Sequence, residues 1–339
     1  MHPQLFKLSG ANYFYAIGAI AAIAAAWSVW AVRRRRASEL LPGVIIAALF
    51  CAVLLVLWKI GRPLPIWSYG VFLMLAFAAG IAWAVREARI RGLDADVVLD
   101  LAFFVLVGSI IGARLLHVIL EFEYYRLHPG AIWSEWGWGL SFHGGLLGGM
   151  LAGLLFSRSR RLSFGTLADI AAPSIALGYA IARVGCFLRG CCYGAPTNLP
   201  WGCRFLLDPT ADPHHPGVGV WTAPSHPTQL YAAAASLAIF GLLLWLRGRL
   251  RARGQLFLAY LALYSAARWG VEILRRGYSA QSIGADAWLT EAQVASMIIL
   301  VIALAGIRLL ARREARAASH ESKRGHPQTS RARRRRTSR

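Results

Sequence analysis

The sequence predicts an all-α polytopic membrane protein with a seven-span core, a two-helix extension ahead of it and a small outer cap of loops. Three observations predict this. Hydrophobic residues make up 57% of the 339 and the mean hydropathy is +0.49, more apolar side chain than one soluble core would bury. Apolar runs recur that approach or exceed the roughly 20 residues a helix needs to cross about 30 Å of hydrocarbon. Basic residues also gather in alternate gaps between those runs.

The runs predict nine spans, at about 13–32, 43–60, 66–86, 97–119, 140–157, 167–188, 226–246, 255–275 and 290–311. The first is expected to stay as an anchor: Arg33 to Arg36 follow it and only Lys7 precedes it, the reverse of a cleavable signal. Gly61-Arg62-Pro63-Leu64-Pro65 cannot continue a helix. It divides a two-helix extension, 1–62, from the core, 63–311. Placing the N-terminus outside puts 26 of the 37 Lys and Arg residues on the inner side, eight outside, and Arg114, Arg183 and Arg268 within spans. That asymmetry predicts N-out, C-in, with an odd span count. The tail, 312–339, is Arg-rich and nearly free of apolar residues, so it is expected to be disordered and to touch anionic headgroups. A net charge of +21 would suggest nucleic acid in a soluble chain; here topology and lipid account for it. No inverted repeat is visible, which disfavours a secondary transporter.

Ionisable groups inside a bilayer cost on the order of 2.5–3.5 kcal/mol each, so those that persist in spans are candidates for function. They are Arg114, His117, His143, Asp169, Arg183, Arg268, Glu272 and Arg275. The structural alternative for each is a buried ion pair or a snorkelling side chain. For Asp169, helix capping or pairing with inner arginines is favoured. His143 opens the fifth span in Ser141-Phe142-His143-Gly144-Gly145-Leu146-Leu147-Gly148-Gly149, where Gly144 and Gly145 let a backbone or a ligand approach closely. Arg183 lies about one turn inside the outer end of the sixth span, where its planar fork could hold a phosphate. In Arg268-Trp269-Gly270-Val271-Glu272-Ile273-Leu274-Arg275, the i, i+4 spacing puts Arg268 and Glu272 on one face with Arg275 close by. An intrahelical Arg268–Glu272 pair explains that spacing equally well. Together the arginines and His143 outline a phospholipid headgroup site. Four of five cysteines, Cys186, Cys191, Cys192 and Cys203, fall at or beyond the outer end of the sixth span. Their spacing matches no zinc motif, and a structural disulfide or buried thiols is the plain reading.

These motifs, in this order, resemble the prolipoprotein diacylglyceryl transferase family. The resemblance covers about 65–311 and rests on Trp67-Ser68-Tyr69-Gly70, the stretch from Ser141 to Leu146, that from Arg183 to Gly194, His226-Pro227-Thr228-Gln229-Leu230-Tyr231, and Arg268-x3-Glu272-x2-Arg275. The family signature reads G-R-x-G-N-F-x-N-x-E-x-x-G. Here Arg183, Gly185, Phe187 and Gly194 match it, while Ala182, Cys186, Arg189 and Cys191 replace its first Gly, its two Asn and its Glu.

The resemblance implies a seven-span core with N-out and C-in, in the bacterial cytoplasmic membrane. It implies movement of the diacylglyceryl group of phosphatidylglycerol onto the lipobox cysteine of a prolipoprotein signal peptide, with no metal or organic cofactor and no obligate protein partner. His143 would help form the thiolate, as base or orienter, and Arg183 and Arg268 would stabilise the departing phosphate. Tyr69, Gln229, Gly144, Gly145, Gly194, Glu272 and Arg275 would contact or shape the substrate site. Three other classes stay open: a paralogue with a different acceptor, a thiol-redox protein built on Cys191-Cys192, and a lipid or small-molecule transporter.

Overall fold

A helix satisfies its own backbone hydrogen bonds, which is what a chain this apolar requires in lipid. A computed structural model of the chain describes residues 4–8, 51–52, 55–56, 58–59, 64–134, 139–207, 220–250, 252–275 and 289–324. Nine helices stand out among them: α1 (Ser68–Ile90), α2 (Ala95–Leu120), the short α3 (Phe122–Leu127) and α4 (Ala131–Ser134), α5 (Phe142–Ser159), α6 (Phe164–Arg189), α7 (Thr228–Leu246), α8 (Gln255–Ile273) and α9 (Glu291–Arg324). The seven long ones match the core spans expected from the apolar runs to within a few residues, except at the far end of α9. Of these, α1, α2, α6, α7 and α9 are long and apolar enough to cross a membrane. Glycine dilutes the apolar content of α5, and α8 carries Gln255, Arg268 and Glu272.

Two features depart from the expectation. Gln4–Leu8 (β1) pairs antiparallel with Leu64–Trp67 (β2), and no apolar run signalled that strand pair. Pro65 is tolerated there because a two-stranded ribbon has only edges. The last helix also runs on to Arg324, through residues 312–324 of the tail expected to be disordered. Its Ala, Arg and Glu residues are strong helix formers even without an apolar face. The expected spans at 13–32 and 43–60 lie outside the described residues, apart from helical pieces at 51–52, 55–56 and 58–59.

Burial is arranged as lipid demands rather than as water does. Ala88, Ala172, Ala176, Ser68, Ser236 and Ser265 are buried, whereas Met74, Phe103, Ile111, Leu115 and Val301 are all more than half exposed. Small residues inside let helices approach, and dispersion at close range replaces the hydrophobic effect that lipid does not supply. The closest approach is between α2 and α5. A Cβ built on Gly112 would strike the Gly144 carbonyl, and one on Gly148 would strike the Gly108 carbonyl. Each helix thus presents a small-x3-small stripe to the other. A second core joins α6, α7 and α8 through Ala172, Ala176, Ile239, Leu243, Leu256, Ala259 and Tyr260.

Polar contacts pin the two ends of the bundle. Asp169 of α6 caps α8, accepting from the Gly254 amide at 2.7 Å and the Phe257 amide at 2.9 Å. This satisfies two orphan amides of that helix start. At the same end, buried Glu87 pairs with Arg247 at 2.8 Å and Arg91 at 3.2 Å. At the other end Arg114 donates to the carbonyls of Ala131, Ile132 and Gly139, tying the small cap of α3 and α4 to α2. A short antiparallel strand pair, β3 (Leu206–Leu207) with β4 (Val220–Trp221), lies between α6 and α7.

Candidate active site

The site forms where α6 ends, α7 begins and α8 ends. Gly190 takes a left-handed conformation, φ 81°, and caps α6, its amide bonding to the Cys186 carbonyl at 3.1 Å. The chain then reverses, and Cys192 also sits at positive φ, 62°, a conformation that costs a side-chain-bearing residue on the order of 1–2 kcal/mol. What holds it there is α7. Thr228 Oγ1 donates to the Cys192 carbonyl at 2.7 Å and Gln229 Nε2 to the Cys191 carbonyl at 2.6 Å. The Gly194 amide bonds to the His226 carbonyl at 2.9 Å and the Ala195 amide to the Leu274 carbonyl at 2.7 Å. A Cβ on Gly194 would lie 2.6 Å from that Leu274 oxygen. The close approach at Gly194 is therefore made by the end of α8.

These elements form a small cleft lined by Tyr179, Arg183, Cys192, Thr228, Ala232, Ala235, Ser236, Ile239, Tyr264, Ala267, Arg268, Val271 and Arg275. Three guanidinium groups face it. Arg268 and Arg275 share the Oε2 atom of Glu272, which is 2% exposed; Arg275 is 3.3 Å from it. Thr290, just ahead of α9, donates to the other carboxylate oxygen at 3.4 Å. The intrahelical Arg268–Glu272 pair is thus present, and it leaves Arg268 on the cleft wall. Arg183 lies 4.7 Å above the Tyr179 ring, a cation–π contact. Among the described residues no ion pair of Arg183 is found. Tyr264 meets Tyr179 edge-on at 5.3 Å. One carboxylate among three arginines leaves net positive charge, and apolar walls strengthen its pull on an anion.

Three thiols, Cys186, Cys191 and Cys192, lie near one another beside the cleft, and Cys191 Sγ reaches the Cys186 carbonyl at 3.7 Å. All are free, as is Cys203. Cys186 and Cys191, with Arg275 and Arg183 adding to the effect, favour the thiolate of Cys192 and hold its pKa below the ordinary thiol range. The neighbouring Cys186 and Cys192, with burial, push Cys191 up.

The structure places the expected site residues in two groups. Arg183, Arg268 and Arg275 line the cleft; Glu272, Gln229 and Gly194 stand directly behind its wall. Tyr69, in the first turn of α1, lies against Gly185 and within electrostatic range of Arg183 and the three thiols. His143, Gly144 and Gly145 form the second group. His143 is exposed in the first turn of α5 and is not among the cleft-lining residues. Gly144 packs against Gly112 and Leu116, and Gly145 against Ala113, so these glycines serve the α2–α5 contact.

The family model described as prolipoprotein diacylglyceryl transferase matches residues 55–309. The chain belongs to the prolipoprotein diacylglyceryl transferase family. A relative from Geobacillus kaustophilus, named phosphatidylglycerol–prolipoprotein diacylglyceryl transferase, is 38% identical over 244 residues, 72% of this chain and 87% of its own. Relatives of the same name from Acaryochloris marina and a Nostoc species are 36% and 35% identical; the matches cover 75% and 78% of this chain, and 89% and 92% of theirs. In this family member two of the four departures from the signature come together. Cys186 and Cys191, which replace an Asn and the Glu, touch each other and Cys192. The sequence reading passed over Tyr179, Tyr264, Thr228 and Thr290. Tyr179 stands one turn before Arg183, and that i, i+4 spacing was the available signal.

Proposed function

We propose that this protein transfers the diacylglyceryl group of phosphatidylglycerol to the lipobox cysteine thiol of prolipoproteins, forming a thioether and releasing glycerol phosphate. The observation that carries the reading is the convergence of Arg183, Arg268 and Arg275 on one apolar-walled cleft with Glu272 as the carboxylate among them.

The reaction forms a sulfur–carbon bond at the glycerol carbon esterified to phosphate, and breaks that carbon's bond to the phosphate oxygen. The bridging oxygen leaves with the phosphate, whose charge goes from one negative toward two. Arg183 and Arg268, already oriented, meet the charge that develops, with Arg275 beside them; one such preorganised donor is worth about 10²–10³ in kcat. Glu272 keeps two of the three guanidinium groups aimed and spaced. Apolar residues of α7 and α8, among them Ala232, Ile239 and Val271, suit the acyl-chain side of the donor. The acceptor thiol must lose its proton, and His143 is the candidate base or orienter carried by the family motif. Its place at the exposed start of α5 suits a group that meets the peptide acceptor rather than the lipid phosphate. Gln229 acts from behind the wall by holding the Cys191 carbonyl, and Tyr69 is the polar side chain that the family motif adds beside Arg183.

The protein is proposed to sit in the bacterial cytoplasmic membrane with its N-terminus outside and its C-terminus inside, supported by the distribution of Lys and Arg. The cleft then opens toward the outer leaflet. Reporter fusions after Arg253 should read as cytoplasmic and fusions near Pro209 as external; the opposite pattern overturns the orientation. For the activity, purified protein in phosphatidylglycerol liposomes is given a lipobox peptide. A peptide mass gain equal to one diacylglyceryl group, dependent on phosphatidylglycerol, supports the transfer, and an unchanged peptide mass rejects it.

A further inference from the structure

Arg189, the last residue of α6, has no part in the transfer derived above. It is not among the cleft-lining residues and stands about 9 Å farther along the helix axis than Arg183. Its surroundings are built by the start of α1. Gly185 lets α1 come close, because a Cβ on it would lie 2.7 Å from the Phe72 Cβ and 3.5 Å from the Tyr69 Cα. Trp67 is held in extended conformation opposite Gln4 by the β1–β2 ribbon. The Arg189 guanidinium consequently lies 6.0 Å from the Trp67 ring and 5.9 Å from the Tyr69 ring, each within cation–π range. Tyr69 is also within electrostatic range of Arg183, so this clasp stands beside the cleft rather than on a remote face. The rings hold the guanidinium without neutralising it, and among the described residues Arg189 makes no ion pair. The sequence points the same way. The family signature has Asn where Arg189 stands and Glu where Cys191 stands, so this turn gains a cation and loses a carboxylate together. Both changes raise the positive potential on the approach to Arg183.

We propose that Arg189, clasped by Trp67 and Tyr69, is a capture point for the phosphate of an anionic phospholipid, met before the phosphate passes to Arg183. The inference rests on the phosphate reading of the cleft. Contacts to ring faces leave the in-plane N–H donors of the guanidinium for phosphate oxygens, and such charge-assisted bonds are stronger than neutral ones. Because Arg189 stands outside the cleft lining, its charge acts on the arrival of the lipid and not on the chemical step. Charge placed this way raises the local concentration of an anion and its rate of encounter. Arg189 is therefore a specificity-determining residue for the donor, favouring anionic over zwitterionic lipid, and it is particular to chains that carry Arg in place of the signature Asn.

The test uses the full chain in phosphatidylcholine nanodiscs doped with phosphatidylglycerol. Lipid binding is titrated by native mass spectrometry, transfer to a lipobox peptide is followed in the same discs, and each variant's melting temperature is recorded. Arg189→Asn, which restores the signature residue, is expected to weaken phosphatidylglycerol binding roughly tenfold, the lower end of what a hydrogen bond to a charged group contributes. It should raise KM for phosphatidylglycerol while kcat holds. Arg189→Lys keeps the charge and should lose less. Arg126→Asn, which removes an exposed arginine paired with Glu123, should bind like the parent. Raising the ionic strength from about 0.01 to 0.15 M shortens the Debye length from about 30 to 8 Å and should weaken the parent more than Arg189→Asn. Parent-like lipid affinity in Arg189→Asn, an equal loss in Arg126→Asn, or a fall in kcat with KM unchanged would overturn the proposal. A lower melting temperature with lipid affinity intact would make Arg189 a packing residue and overturn it too. Glycerol phosphate in solution is titrated as the second ligand: if it alone, and not the lipid, binds Arg189→Asn more weakly, the site serves free phosphate and the proposal falls. Binding needs no turnover, so absent peptide lipidation together with weakened lipid binding in Arg189→Asn would sink the transfer reading alone.

Discussion

Arg268 and Arg275 grip the same oxygen of Glu272, so one buried carboxylate sets the aim of two guanidinium groups on the cleft wall. Glu272→Gln keeps the shape and removes the charge. Breaking a buried pair leaves uncompensated charge and costs about 3–5 kcal/mol. The variant is expected to melt well below the parent and to bind phosphatidylglycerol more weakly, because the two arginines repel and swing apart. Thermal melting with and without added lipid checks this. A variant with unchanged melting and unchanged affinity would show that Glu272 does not organise the cleft.

The α2–α5 contact depends on the absence of side chains at Gly112 and Gly148. Gly112→Leu forces a side chain into the Gly144 carbonyl and should destabilise by at least 1–3 kcal/mol, the usual cost of overpacking. Gly70→Leu, where a Cβ would meet nothing within 4 Å, should change melting little. Equal effects of the two would mean that the close approach is not what stabilises this pair.

The cysteine trio predicts an unusual pH response. An ordinary thiol, with a pKa near 8.5, gains nearly two orders of magnitude in thiolate between about pH 6 and 8. Cys192 is lowered by its neighbours Cys186 and Cys191, so it holds more thiolate than an ordinary thiol at the acid end of that window. Its alkylation rate should climb less steeply there than that of an ordinary thiol. Cys191 is raised and should stay unreactive. Residue-resolved alkylation at several pH values decides, and a Cys192 rate that climbs like a free thiol contradicts the assignment.

Much of the fold could be read from the sequence because lipid enforces a simple rule: a run of apolar residues of sufficient length becomes a helix. That is why all seven long helices coincide with expected spans. Arg183, Arg268, Glu272 and Arg275 were legible for the same reason, since charge within such runs is rare. The partners that complete the cleft were not. Tyr179 and Tyr264 in an apolar run look the same whether they face lipid or an arginine. The contact among Cys186, Cys191 and Cys192 depends on the chain reversal at Gly190, which spacing alone does not reveal. The continuation of α9 to Arg324 was missed because a helix without an apolar face resembles a charged tail. The β1–β2 pairing joins segments nearly sixty residues apart, beyond any local pattern.

The central claim is that Arg183 holds the lipid phosphate. It faces the cleft over the Tyr179 ring, and Glu272, its conceivable structural partner, is bound instead by Arg268 and Arg275. Arg183→Lys keeps the charge and loses the two-point planar fork. The direct measurement is phosphatidylglycerol-dependent lipidation of a lipobox peptide by Arg183→Lys and Arg183→Ala, alongside each variant's melting temperature. The account predicts a Lys variant that melts near the parent while its activity falls by about 10²-fold, and an Ala variant without measurable activity. A fully active Lys variant, or variants that lose activity only because they fail to fold, would contradict it.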